Sequence, residues 1–600
     1  MAVVSEEELS EEFEGFGITL SDPNITDKLQ ELCGLHRLDA GDLVTEWVAY
    51  SNTKKNLGLT LEALDHFERE KLSKRIPKTP KTPKLKKQNG PVIYDINNIE
   101  DGMDEDGAEA LYNAYSTPSS KGQGQKKRQL TPDNLPLKRF TGPNRSPVIP
   151  FSPASFSPSS ATPSKKFSSR TNAGEVLNTF GKLENINWSG SNQVCAITSY
   201  DLPTCLEKRI KYMFQKLTDK AQVLNDLIED IGMELKAAYE IEEYSHIGLP
   251  VQDQVTVVGR ICCDCNGKLN AKSVLLEGSR ETSAGKSIPL DLTDLTEFSL
   301  FPGQVSAFDG TNATGMKFVA KKVYPGICLP LPEIKVKPET DITKLSVMIA
   351  AGPFTTSDNL AYEPLTELIK YIQRDKPDVC VLMGPFVDSR NEEIDKGHLG
   401  KTYEELFRTQ MEIIARMTEK VQCKVLIVPS QRDVHHDFVY PQPPFVLKDF
   451  NNKHIQFVSD PATICINNVV FGLTSTDVLF HLGQEEISFP PGGTDRLGRL
   501  TQHLLTQHSY YPLYPQTEDM NVDHTLQELY GHMPVTPHVL VVPSDLRYFI
   551  KDIKGCFCVN PGRLAKGQVG GTYTRMVINT QDIASNSSLV PNISAQVLRV

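Results

Sequence analysis

Residues 377–391 read PDVCVLMGPFVDSRN. An apolar run through Val379, Val381, Leu382 and Met383 stops at Gly384 and opens into a polar loop. A short apolar run bounded by Pro and Gly spells a strand buried on both faces, as in a parallel sheet. Such strands deliver loops at their C-terminal edge, where open α/β sheets place their chemistry. The residue after the glycine is Pro385, which offers neither a carboxylate nor an N–H. The loop is therefore placed like an active site while lacking a metal-binding or proton-carrying group at its first position.

The pattern repeats on both sides. KLSVMIAAG and CKVLIVPS are apolar runs of the same kind, and helical periodicity over Leu365 to Arg374 and Tyr403 to Lys420 separates the three strands. A hairpin-like stretch (HIQFVSD, TICINNVVFGLTS), TPHVLVVP at 536–543 and a β region around 570–580 follow. Residues 341–600 read as an α/β domain. Its strand ends AAGPF, GPFVD and PSQRD fall at the spacing at which calcineurin-like metallophosphoesterases carry Asp-x-His, Gly-Asp-x-x-Asp and Gly-Asn-His-Asp. The likeness is one of position. Ala351 and Pro353 replace the first Asp and His, Pro385 the bridging Asp, and Ser430, Gln431 and Arg432 the Gly-Asn-His, while NPGR (Asn560 to Arg563) stands where a Gly-His-x-His loop belongs. Gly384, Asp388 and Asp433 survive, at positions the resemblance assigns to turn and supporting roles. A binuclear site needs a shared carboxylate, and Arg432 brings a fixed positive charge instead. The expectation is an inactivated phosphoesterase-like domain with no catalytic residue, metal or cofactor. A rebuilt metal site drawing on His435, His436, Asp437, His503, His508 and His538 is the rival reading.

Upstream, Gln254 to Pro325 gives five short strands with glycine turns, expected as an OB-type β-barrel domain over residues 246–340. SVLLEG and PLDLTDL supply none of the interleaved aromatic and basic side chains that a single-strand-binding face uses, so the barrel reads as a packing or protein-contact module. Cys262, Cys263 and Cys265 have no second Cys/His pair at finger spacing and read as ordinary strand cysteines. Residues 171–245 read as a helical segment packing on the core, its helix spanning Leu206 to Ala237 with Met213, Leu217, Leu224, Ile228 and Ile231 on one face.

Residues 78–170, rich in Pro, Ser, Thr, Gly and Lys, read as a disordered linker. Thr79, Thr82, Thr117, Thr131, Ser146, Ser152, Ser157 and Thr162 each precede proline there and are candidate sites for proline-directed kinases. Residues 1–77 read as a small helical bundle. Pro23 opens its first helix, Gly34 stops it, Leu43, Val44, Trp47 and Val48 mark a second, and Thr60 caps a third carrying Leu61, Leu64, Phe67 and Leu72.

Composition bounds the function. The 600 residues suggest about three or four domains. With 63 Lys and Arg against 75 Asp and Glu, the net charge of −12 gives no global basic field, so any DNA contact is local and weak or indirect. The acidic N-terminus, the absence of a run of about 20 apolar residues and 12 cysteines scattered through apolar strands suit a reducing intracellular compartment.

The order helical bundle, phosphorylatable tether, OB barrel, inactivated phosphoesterase domain resembles the B subunits of eukaryotic replicative DNA polymerases. The strings VVGRICCD, FSLFPGQVSAFDGTN, VLMGPFVDSRN, VPSQRDVHHDFVYPQPPF, SYYPLYP, VVPSDLRYF and NPGRLAKG are similar to the branch serving the DNA polymerase alpha–primase complex. The resemblance implies a nuclear, noncatalytic scaffold that holds the catalytic subunit through that chain's C-terminal zinc-bearing module. Stable assembly interfaces often bury about 2,000 Å² or more, more than one small barrel supplies, so that module is expected to straddle barrel and α/β domain. Primase subunits would be reached through the complex, replication-fork proteins through the N-terminal bundle, and no membrane is involved. Two other classes stay open: an active binuclear metallophosphoesterase, and an OB-fold protein binding single-stranded nucleic acid.

Overall fold

The computed structural model describes 9–10, 13, 23–36, 40–53, 59–70, 92–93, and 167–600 apart from 185, 192–194, 266, 333–343, 398, 491–494 and 580–587. The chain divides into two compact units, Met1–Asn89 and Gly90–Val600.

In the first unit, α1 (Pro23–His36), α2 (Ala40–Thr53) and α3 (Leu61–Glu70) share one apolar core of Leu29, Leu32, Leu43, Val44, Trp47, Leu64 and Phe67. Phe67 meets the Trp47 ring edge-on at 5.4 Å. Thr60 caps α3, its Oγ1 accepting from the Ala63 N–H at 3.3 Å. Gly34 does not stop α1, which continues to His36. A lone glycine costs only about 1 kcal/mol in a helix, less than the burial of Leu32 and Cys33 beside it supplies. Leu72 lies outside the described residues.

The expected linker lies outside the described residues except for 167–170 and Val92–Ile93, which pair antiparallel with Ser488 and Ile487. Phe167, at the start of the long described stretch, is buried. Two strands come first, β1 (Val176–Phe180) and β2 (Ile197–Ser199). The helix expected from Leu206 begins only at Leu217: α4 spans Leu217–Ala238, and Leu206 to Lys216 is an irregular strap. Met213 takes φ 61°, which no helix accommodates, and its backbone N–H bonds Asp523 Oδ2 at 2.5 Å. Residues 171–245 are thus a strap with two strands as well as a helix. The inner face of α4 (Ile228, Ile231, Leu235) packs on Val258, Val305, Ala307 and Tyr324 of the barrel.

The barrel is closed by β3 (Val251–Cys263), β4 (Val274–Glu277), β5 (Ser287–Asp291), β7 (Val305–Asn312) and β8 (Phe318–Val323), ordered β3-β4-β5-β8-β7 with only the β5/β8 pair parallel. That is OB topology. A further strand, β6 (Phe298–Leu300), leaves the barrel.

The remainder is two sheets face to face with helices outside each. The seven-stranded sheet runs β12-β11-β10-β9-β19-β20-β1, with β9 (Lys344–Ala351), β10 (Val379–Met383), β11 (Lys424–Val428) and β12 (Ile455–Phe457) parallel, and β19 (Thr572–Asn579) and β20 (Ile593–Arg599) antiparallel. The six-stranded sheet contains the hairpin β13 (Ala462–Ile466) and β14 (Val469–Leu473), then β16 (Val539–Val541), β17 (Phe549–Ile553) and β18 (Cys556–Asn560), with β2 at one edge. β15 (Ile487–Phe489) stands apart from both. The segments HIQFVSD and TICINNVVFGLTS therefore belong to different sheets, because Ile455 is buried against the first sheet's outer face and Ile464 between the sheets. Val347, Val381 and Leu426 of one sheet meet Ile464, Phe471, Val539 and Phe557 of the other. α5 (Glu363–Asp375) and α6 (Tyr403–Glu419) cover the first sheet's outer face; α7 (Val478–Glu485) and α8 (Arg496–Thr506) cover the second's. α9 (His524–Tyr530) lies against α4.

Candidate functional site

Parallel pairing brings the ends of β9, β10 and β11 to one edge. The Gly352 N–H donates to Met383 O at 2.7 Å and the Gly384 N–H to Val428 O at 2.9 Å. Gly384 allows the loops to touch: a Cβ there would lie 2.4 Å from Asp433 Oδ2 and 2.9 Å from Ser430 N. Asp433 spends both oxygens on backbone. Oδ1 accepts from the Phe386 and Val387 N–H groups at 2.6 and 2.9 Å, and Oδ2 from the Ser430 N–H at 3.1 Å. Burial pushes its carboxyl up to about 7 against the pull of those donors, with the Asp388 charge adding to the push.

Asp388 lies beside it and is equally occupied. Arg432 holds it in a fork, Nε to Oδ1 at 3.1 Å and Nη2 to Oδ2 at 2.5 Å, and the Arg390 N–H donates to Oδ1 at 3.1 Å. Arg563, of the NPGR string, bonds Asp545 Oδ1 at 3.1 Å and Asp477 Oδ2 at 3.2 Å. Asp477 also caps α7 at the Phe480 N–H. Burial raises the Asp545 carboxyl, but Arg563 first, then Arg432, Lys566 and Arg390, bring it down to about 2. Ala351 gives its carbonyl to the Leu564 N–H at 2.7 Å. Pro353 and Pro385 both follow cis peptide bonds in the converging loops. The Gln431 side-chain amide is buried without a hydrogen-bond partner. The edge is a closed lattice in which carboxylates accept from local backbone or from arginine.

The histidines singled out in the sequence are dispersed. His435 is sandwiched between aromatic rings, stacked on Phe445 at 5.2 Å and 4.5 Å from Phe407, and burial first, then His436, lowers it to about 3. His436 Nε2 meets Pro443 O at 2.6 Å, and Asp437 pairs with Arg209 at 2.7 Å. His503, His508 and His538 lie along the junction of barrel and sandwich, each bonded to a residue of the 299–332 segment.

That junction is the part of the molecule the sequence concealed. β6, leaving the barrel, pairs antiparallel with β15, so Leu300 faces Ile487 and Phe298 faces Phe489. Beneath this pairing Glu486, fully buried, accepts from Ser299 Oγ at 2.6 Å and from Arg499 through Nε at 2.7 Å and Nη2 at 3.0 Å, with His503 Nε2 at 3.1 Å. Burial raises this carboxyl, but His503 and Arg499 outweigh it and hold it at about 2. Gln507 pairs in both directions with the backbone of Val305, at 2.8 and 3.0 Å. Gly303, at φ 96°, lets the 301–304 turn sit under the 512–514 segment; a Cβ there would lie 2.5 Å from Tyr514 N. Tyr514 N–H donates to Pro302 O at 3.0 Å. The strings FSLFPGQV and SYYPLYP are the two sides of this seam. Arg499 and His503, four apart on one helix face, are the signal that could have pointed to it; Glu486, next to an apolar run, carries none by itself.

Where strap, α4 and α9 meet beside the seam, large apolar side chains face outward. Phe214 is 80 % exposed and Leu217 88 %, with Met213 and Phe438 about half exposed. Gln215 ties the strap to Val522 O and the His524 N–H, and Asn521 ties this region to Phe438 O. Lys220 of α4 and Arg260 of the barrel both lie over the Tyr514 ring, at 4.9 and 5.2 Å.

Comparison with known proteins covers the whole chain. Residues 347–551 match the family model for the B subunit of DNA polymerases alpha and epsilon, residues 221–326 that for the OB domain of the DNA polymerase alpha B subunit, and residues 7–74 that for its N-terminal region. The chain is 43% identical to the DNA polymerase alpha B subunit of Rattus norvegicus and 44% identical to that of Mus musculus, with all of each chain covered. It is 44% identical to that of Bos taurus over 91% of both chains.

Proposed function

Because the chain belongs to the family of DNA polymerase alpha B subunits, we propose that it is the noncatalytic scaffold of a DNA polymerase alpha–primase complex. In this reading it holds the catalytic subunit's C-terminal module and supports initiation of DNA replication. The observation that carries the reading is the seam: β6 pairing with β15, with Glu486 and Gln507 beneath, welds barrel and sandwich into one composite body. Beside it lies an exposed apolar patch of Met213, Phe214, Leu217 and Phe438. A monomer exposing Phe214 and Leu217 so fully leaves them in water for want of a partner, and large apolar anchors beside a polar rim are what a stable interface uses.

The sandwich is read as a phosphoesterase-like domain that has lost its chemistry. Supporting this, Asp388 and Asp433 are consumed by Arg432 and by backbone N–H groups, and Ala351, Pro353 and Pro385 bring no ligand to the strand ends. The acidic balance and the absence, among the described residues, of a helix long and apolar enough to cross a membrane are compatible with a nuclear protein. Phosphorylation of the Ser-Pro and Thr-Pro sites between 78 and 170 is its proposed regulation, and fork proteins are the proposed partners of the N-terminal helices.

The test is co-expression with the catalytic subunit. Phe214→Ala with Leu217→Ala is expected to weaken the complex at least about 30-fold, the loss of one hot spot of about 2 kcal/mol, while the free chain melts as wild type. Unchanged affinity with both side chains removed overturns the assignment of this face.

A further inference from the structure

The rim of the barrel carries a donor group that the scaffold reading does not use. β3 ends at Cys263, and the chain turns through Asp264 and Cys265. We propose that Cys263, Asp264 and Cys265 bind one thiophilic divalent cation of the zinc class through two thiolates and a carboxylate. One donor atom from each residue lies within 4.8 Å of the others. The two Sγ atoms are 3.8 Å apart. Tetrahedral zinc with Zn–S bonds of about 2.3 Å separates two sulfurs by roughly 3.8 Å, so the thiols already stand at the edge length of the coordination polyhedron.

The turn is held in place by its neighbours. The Asp264 N–H donates to Ser273 O at 2.9 Å, and the Ser273 hydroxyl lies 3.5 Å from Cys263 Sγ. Cys265 is exposed and Cys263 half-buried, so an ion has a path in and a fourth position open to water. Cys262 points elsewhere, its Sγ 3.3 Å from Glu277 Oε2 beside Arg260. Cys556 and Cys558 make the informative contrast. Their Sγ atoms are 3.7 Å apart, yet both are buried in β18, and they are part of no three-donor group among the described residues. Spacing alone does not distinguish the two pairs; access and a third, anionic donor do.

Loading exchanges two thiol protons for one divalent ion, the protons passing to solvent. Three charged donors leave the loaded turn with a net charge of about −1. Cys263 packs against the barrel core of Leu269, Val274 and Leu276, while Asp264 and Cys265 are exposed.

The test uses the full chain, kept reduced by a phosphine and titrated with Cd²⁺. The expected result is one tight equivalent with a thiolate-to-cadmium charge-transfer band and release of two protons. Cys265→Ser is expected to weaken that equivalent at least about 100-fold and Asp264→Asn about 10-fold, with Cys262→Ser matching wild type and all variants melting within a degree or so of it. A band of undiminished affinity in Cys265→Ser, or no equivalent tighter than the background of the other thiols, overturns the proposal. Should Cys263→Ser fold poorly, Cys265→Ser, at an exposed position, still decides.

Discussion

Two regions of the second unit are dense in charge and hydrogen bonds, and they use them in opposite ways. At the sheet edge, Asp388, Asp433 and Ser430 bond to residues of the same or the adjoining loop, at most 47 positions apart. At the seam, Ser299, Val305 and Ile327 reach Glu486, His503, Gln507 and His508 across separations of 181 to 204 residues. The edge holds a set of loops in shape. The seam holds one folding module against another, and loss of a partner there releases a whole surface. A chain that commits its buried charge to joining two modules is organised to present a large rigid face, which is what a member of an assembly needs.

The largest expected effect follows from the seam. Glu486→Ala leaves Arg499 and Ser299 without their buried acceptor, and removing one member of a buried ion pair typically costs about 3–5 kcal/mol. Denaturant unfolding of the full chain should show that loss, and under the proposed function, whose face lies beside the seam, it should be accompanied by weaker binding of the catalytic subunit. Destabilisation by less than about 0.5 kcal/mol, the usual range of surface substitutions, would mean that the two modules stand side by side without depending on each other.

Second in size is the edge. Asp433→Ala orphans three backbone N–H groups and should cost about 2 kcal/mol, yet leave binding of the catalytic subunit unchanged once the protein is folded. The two carboxylates also give opposite pH slopes. Glu486 is held below its ordinary value of 4.5, at about 2, so its contribution is full above pH 4.5 and is lost as the pH falls toward 2. Asp433 is raised from 3.8 to about 7, so its contribution is full below pH 3.8 and is lost as the pH rises through 7. Stability measured across pH 2 to 8 should lose its acid limb in Glu486→Gln and its neutral limb in Asp433→Asn. Exchange of those limbs between the two variants would reverse the assignment of strain to the edge and of attraction to the seam. Metal analysis of the same proteins should find no ion whose retention depends on Asp388 or Asp433.

The asymmetry also explains what could be read from the sequence. β9, β10 and β11 are legible because a strand buried on both faces has to be a continuous apolar run, and Gly384 is legible because the loops touch there. The barrel was legible through its turns. The seam was not: β6 and β15 are three residues each, too short for a periodicity to show, and the bond from Ser299 to Glu486 beneath them spans 187 positions. The strap was misread because Met213 carries the apolar spacing back from Leu217 at the start of α4, yet both side chains face outward. A repeat of apolar residues reports a face, and a face destined for a partner looks like one destined for the core. The edge was legible as a set of residues, but not the use to which Asp477, Asp545 and Arg563 are put, since those three come from separate loops.

The smallest expected effect is on the folded body, and it comes from the segment with the most modifiable sites. Eight Ser-Pro or Thr-Pro sites lie between 78 and 170, and each phosphate adds about −1.5 to −2 charges at neutral pH, so full modification adds roughly as much negative charge as the whole chain carries, −12. On a compact domain such a load would be destabilising. If the Pro/Ser-rich composition keeps the segment a solvated tether, as proposed, its charges more than about 8 Å apart are screened at physiological ionic strength. Phosphorylating the chain with a proline-directed kinase should therefore leave the melting of the 167–600 body within about 0.5 kcal/mol of the unmodified protein, the range of surface changes. The same modification should alter the segment's own exposure, read as slower or faster cutting between 78 and 166 in brief proteolysis. A melting shift as large as that of Asp433→Ala would place the phosphates against the folded body instead of on a tether, with Val92–Ile93, already paired to Ile487 and Ser488 beside the seam, as the point of contact.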